Sequence, residues 1–106
     1  MQIQVTGQQM EITPALRDYA VSKIEKITRL FDNTTGAHVV LSVDKHAHKA
    51  ECRLSVPGKQ LFAEVAAHDM YAAIDGLVDR MEMQVRKYKG KLTDHHGQAR
   101  RTATEL

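Results

Sequence analysis

The chain has 106 residues, 42% of them hydrophobic, which is room for one domain around one core. Its formal net charge is only +2, and no apolar run approaches the roughly 20 residues of a membrane span. The net charge alone is weak evidence for a nucleic-acid partner, the hydropathy excludes a membrane helix, and the single cysteine, Cys52, excludes an internal disulfide. The N-terminal MQIQVTGQQ has neither the charged start nor the apolar stretch of a signal peptide, so the expected location is cytoplasmic.

Residues 2–9 place Ile3 and Val5 on one face, the alternation of a short strand. Thr13-Pro14 reads as a helix start, because threonine suits the N-cap and proline suits the first helical position. Leu16, Ala20, Ile24, Ile27 and Phe31 then make one apolar stripe, predicting a helix over 13–31. The polar run 32–36 ends it.

Three strands are expected next. In 38–44, Val39, Leu41 and Val43 alternate with polar neighbours. In 49–56, Ala50, Cys52, Leu54 and Val56 face one way while Lys49, Glu51, Arg53 and Ser55 face the other. Val56-Pro57-Gly58-Lys59 fits a type II turn, with glycine where φ must be positive. In 60–67, Leu61, Ala63, Val65 and Ala67 form the inward set, which turns Phe62 outward. A last helix is predicted over 69–91, with Asp69 as N-cap and Met70, Ile74, Leu77, Met81, Val85 and Tyr88 as its apolar stripe. Residues 93–106 show no periodicity and read as a mobile tail after a domain spanning 1–92.

The order β-α-β-β-β-α predicts an α+β fold: a four-stranded sheet with both helices on one face and a largely wet second face. The last three strands are expected to form an antiparallel meander.

The charge distribution is more informative than its sum. Residues 1–69 carry eight Lys/Arg and eight Asp/Glu, but residues 80–91 carry five against one. Acids near the start of the last helix and bases near its end suit the helix dipole. A dipole has no preference around the axis, however. At about 100° per residue, Arg80, Gln84, Lys87 and Lys91 fall on one flank of the apolar stripe, with Asp75, Asp79 and Glu82 opposite. Lys23 and Lys26 occupy the corresponding flank of the first helix. A solvated face and an anion-binding stripe both remain open on this pattern.

Other chemistry is thinly supported. His46 and His48, like His95 and His96, are paired without further ligands at fixed spacing, so no metal site is expected; His46 and His48 stand beside Lys45 and Lys49 as further phosphate donors. No glycine-rich phosphate loop or nucleophile motif is present, and the carboxylates fall on faces expected to be exposed. Neither an enzyme nor a cofactor is expected, nor a small-molecule substrate. Tyr71 is assigned to packing at the helix edge, and no strand carries the paired aromatics of a single-strand RNA platform.

Two segments resemble a known family. Met10-Glu11-Ile12-Thr13-Pro14-Ala15-Leu16-Arg17 and Asp69-Met70-Tyr71-Ala72-Ala73-Ile74-Asp75 are similar to the ribosome hibernation promoting factor family, which includes short factors and the related protein Y (ribosome-associated inhibitor A). The resemblance covers about residues 1–92. It implies a fold similar to a double-stranded RNA-binding domain with an added first strand. It also implies binding to rRNA of the small ribosomal subunit in the tRNA/mRNA channel, blocking translation in stationary phase. Short factors favour inactive ribosome dimers, whereas protein Y opposes them. The family's basic helix positions are matched by Lys23, Lys26, Arg80, Arg86, Lys87, Lys89 and Lys91. Residues 97–104 look like the start of protein Y's tail, but its acidic extension is missing, which favours the short factor. A general double-stranded RNA-binding module is the further alternative.

Overall fold

A computed structural model describes residues 2–30 and 34–94, with side chains to residue 90. The element order is β1 (Gln2–Gln8), α1 (Pro14–Thr28), β2 (Gly36–Val43), β3 (His48–Val56), β4 (Lys59–Ala67) and α2 (Met70–Asp94). Strand order in the sheet follows chain order. β1 lies parallel to β2 and reaches it through α1, while β2, β3 and β4 form an antiparallel meander. β1 and β4 are therefore the two edges.

Local chemistry explains the helix starts. The Thr13 hydroxyl accepts from the Leu16 amide at 3.2 Å, and Pro14 opens α1. Asp69 plays the same part for α2, accepting from the Ala72 amide at 2.8 Å. α1 ends at Thr28, shorter than the apolar stripe suggests, because Arg29 caps it with an N–H bond to the Ile27 carbonyl. Phe31, expected to close that stripe, lies outside the described residues. α2 runs to Asp94, three residues past the expected end at 91. Most of the supposed tail, with His95 and His96, also lies outside the described residues.

The strands alternate as expected. Val39, Leu41, Ala50, Cys52 and Leu54 are fully buried, as are Ile24, Ile74, Leu77, Met81 and Val85 from the helices. Together they form one core between the sheet and a single helical layer. Burial pushes the Cys52 thiol up to about 12, so it stays neutral within that core. Gly58 sits at φ 86° in the β3–β4 turn, the conformation for which glycine was expected. The opposite face of the sheet carries polar, half-buried or exposed residues, as the alternation implies.

Candidate nucleic-acid interface

The two helices lie side by side and run in the same direction. Three contacts in register show it. Tyr19 of α1 meets Tyr71 of α2 with ring centroids 4.8 Å apart, Lys23 lies 3.9 Å from Asp75, and Lys89 donates to the carbonyl of Leu30 just past α1. Lys89 of α2 is thereby brought beside the end of α1, while Lys23 of α1 stands beside the first turns of α2. Tyr88, next to Lys89, donates to the Pro57 carbonyl at 2.6 Å, which brings the β3–β4 turn to that end of α2.

The sequence-derived cations occupy three settings. Lys23 and Lys26 border the groove between the helices from the α1 side. Lys23 is shared with Asp75 and with the Tyr19 ring, whose centroid is 5.2 Å from its ammonium. Lys26 pairs with no carboxylate among the described residues. Lys89 faces the same groove from α2. Arg86 stands on the solvent side of α2 and bonds Glu82 one turn back at 2.9 Å.

The flank of Arg80, Gln84 and Lys87 turns away from the groove and runs along β4. Here the structure adds a role that helical spacing did not reveal. Arg80 donates to the Glu64 carbonyl at 3.3 Å, and Gln84 donates to the Phe62 carbonyl. Both are backbone acceptors on an edge strand, so part of the stripe covers a sheet edge that would otherwise invite pairing. Lys87 shares a shallow recess with Lys59 and Tyr88 and pairs with no carboxylate among the described residues. The side chain of Lys91 lies outside the described residues.

Neutral and acidic groups shape the groove. Tyr19 donates to Asp75 at 2.5 Å, and that bond is the main reason its phenol is held above the usual tyrosine range. Tyr71 packs edge-on against Tyr19 while remaining 45% exposed. In the β2–β3 connection, Asp44 accepts from the backbone amides of His46 and Ala47, which lowers its pKa. Those bonds shape the loop that carries His46. Among the described residues, no three His, Cys, Asp or Glu side chains cluster as metal ligands would. No described helix is long and apolar enough to cross a membrane.

This arrangement presents cations from two parallel helices on one helical layer, a pattern that suits the binding of an anionic partner. Comparison with known proteins points the same way. The model of the family described as Sigma 54 modulation protein / S30EA ribosomal protein matches residues 3–93. The ribosome hibernation promoting factor of Klebsiella oxytoca is 42% identical over 95 residues, which cover 90% of this chain and 100% of that protein. The factor of Escherichia coli K12 matches to the same extent. Among solved structures, a ribosomal subunit interface protein from Coxiella burnetii superposes with a TM-score of 0.81 at 32% identity, covering 85% of this chain and 99% of the other. The N-terminal domain of Thermus thermophilus Protein Y superposes at 0.76 with 39% identity, covering 83% and 99%.

Proposed function

The chain belongs to the Sigma 54 modulation protein / S30EA ribosomal protein family, and from that membership we propose that it is a cytoplasmic ribosome hibernation factor. It is a binding protein with no catalytic step. It seats on the small ribosomal subunit in the channel used by tRNA and mRNA, and so blocks translation in stationary phase or under stress. The observation that carries this reading is the row of cations along a parallel helix pair, from Lys23 beside the first turns of α2 to Lys89 beside the end of α1. Lys23, Lys26, Arg86, Lys87 and Lys89 meet rRNA phosphates there, with Lys91 beyond them. Arg80 divides its donors between phosphate and the β4 edge.

Phosphate contacts of this kind supply affinity and position but little sequence reading. Specificity for a ribosome over any duplex then comes from shape, which the rigid two-helix face provides. The short-factor branch is favoured because hibernation promoting factors are matched over 100% of their length. On that branch the protein favours inactive ribosome dimers. The likeness to a Protein Y domain supports a second reading, a translation inhibitor that opposes dimers.

A sucrose gradient separates these readings. Purified protein added to ribosomes is expected to travel with small subunits and to enrich the dimer peak. The same run with a chain ended after Asp94 tests what residues 95–106 add. Loss of dimers on addition selects the protein Y-like role. Protein that ignores small subunits yet binds a free RNA duplex tightly is a general duplex binder, and the hibernation reading fails.

A further inference from the structure

The sheet face opposite the helices holds a group of residues that the chain order scatters and the strand register assembles. Gln4 pairs with His38, His38 with Arg53, and Arg53 with Phe62. Four planar side chains thus form one row across all four strands. The Arg53 guanidinium carbon lies 5.5 Å from the Phe62 ring centroid, a cation–π contact. Phe62 remains 43% exposed, although a large apolar ring gains nothing by facing water. His38 is anchored by Thr6, whose hydroxyl is 3.0 Å from the imidazole Nε2.

The next row toward the β3–β4 turn adds Ser55 and Gln60. With Gln4, His38 and Arg53 these line a shallow depression of about 350 Å³. None of its described lining residues is a carboxylate. The carboxylates of this face, Glu51 and Glu64, stand opposite each other one row further from the turn, and Lys49 neutralises Glu64 at 3.0 Å. The face is therefore divided into an ion-paired half and a half made of amides, hydroxyls, an imidazole, a guanidinium and a ring. That second half adjoins the turn that Tyr88 ties to the basic end of α2.

We infer that the Gln4–His38–Arg53–Phe62 row is a second binding site, for unstacked nucleotides of a single RNA strand. The chemistry fits that ligand in three respects. A ring and a guanidinium present π-faces on which bases stack regardless of sequence. The amides and hydroxyls offer both donors and acceptors to base edges and 2′-hydroxyls, which a strand without a partner leaves open. The guanidinium supplies a positive charge for the backbone, and none of the described lining residues is a carboxylate that would repel it. A duplex cannot use this site, because its bases are already stacked. The site is independent of the helical face, which addresses phosphates of structured RNA.

The test uses the full-length protein and a fluorescent single-stranded RNA of mixed sequence, about twelve nucleotides long, within the span such surfaces bind. Anisotropy is read for the strand alone and for the strand annealed to its complement. The single strand is expected to bind the wild type more tightly than the duplex. Phe62→Ala is expected to weaken the single strand about tenfold, as loss of one stacked base does, with Phe62→Tyr close to wild type because the ring is kept. Arg53→Gln weakens it as well. Circular dichroism melting of the same variants checks the fold, which an exposed ring does not support.

Two results overturn the site: wild type that ignores the single strand, or Phe62→Ala that binds it undiminished. A photo-crosslinker at position 60 that captures a ribosomal protein, with the strand ignored, assigns the face to a protein partner instead. Cosedimentation of the wild type with small subunits is read separately, so failure of this site and failure of the hibernation reading are told apart.

Discussion

Tyr19 and Asp75 are 56 residues apart in the chain and form a short side-chain hydrogen bond across the helix pair. The phenol donates only while protonated, so its folded-state pKa is raised, first by the bond to Asp75. The sign of the linkage follows. The bond contributes stability at every pH below the unfolded tyrosine value near 10, and the contribution is lost as pH rises through the higher folded value. Tyr19→Phe is expected to remove that alkaline limb: its urea midpoint, measured from pH 8 upward, falls less steeply than that of the wild type. A variant that loses stability in parallel with wild type across that range shows that the bond carries none of the dependence. At this scale the sequence was legible where a residue acts on its near neighbours. Thr13 and Asp69 are caps whose partners stand three residues away. Tyr19–Asp75 was not legible, because nothing in either segment names the other.

Elements were legible as faces but not as neighbours. Alternation in β3 separates Cys52 from Arg53, yet it says nothing of which β2 or β4 residue stands beside Arg53. The row that ends at Phe62 was therefore hidden by the absence of register, although each strand was read. The same gap concealed the work of Arg80 and Gln84, since a helical wheel does not show that the flank overlies an edge strand. Gly76 illustrates the packing of α2 on that strand. A Cβ at Gly76 would stand 2.9 Å from Val65 Cγ1, closer than such atoms approach. Alanine in a helix is favoured over glycine by about 1 kcal/mol. Overpacking against a stiff β-branched neighbour costs about 1–3 kcal/mol. The second effect wins, and Gly76→Ala is expected to destabilise by about 1 kcal/mol in urea unfolding. In a Val65→Ala background the clash is gone, and the same substitution is expected to stabilise. A stabilising Gly76→Ala in the unmodified chain contradicts this packing.

The molecule as a whole joins modest charge to strong polarity. A net charge of +2 gives little general attraction for RNA. Parallel helices align that charge in a row from Lys23 to Lys89, which one surface can meet. The negative poles of both helix dipoles lie toward the Lys89 end of that row, which steadies the lysines there in the free protein and slightly opposes an approaching phosphate. Several cations also begin in competition: Lys23 with Asp75, Arg86 with Glu82. Lys26 and Lys87 face no such competitor among the described residues, and they sit on different helices and on opposite sides of the face. They are expected to contribute most directly and nearly independently. Cosedimentation with small subunits over a salt series makes this measurable. If each lysine neutralises one phosphate, the slope of log K against log salt becomes shallower by about 0.7–0.9 for each one removed. Lys26→Gln and Lys87→Gln should each show that change, and the double variant should show their sum. Charge reversal, Lys26→Glu or Lys87→Glu, should weaken binding by about tenfold or more at moderate salt. Affinity that falls with the slope unaltered means the lysine shapes the surface without touching phosphate. Binding unchanged in both reversal variants removes the helical face from the interface altogether.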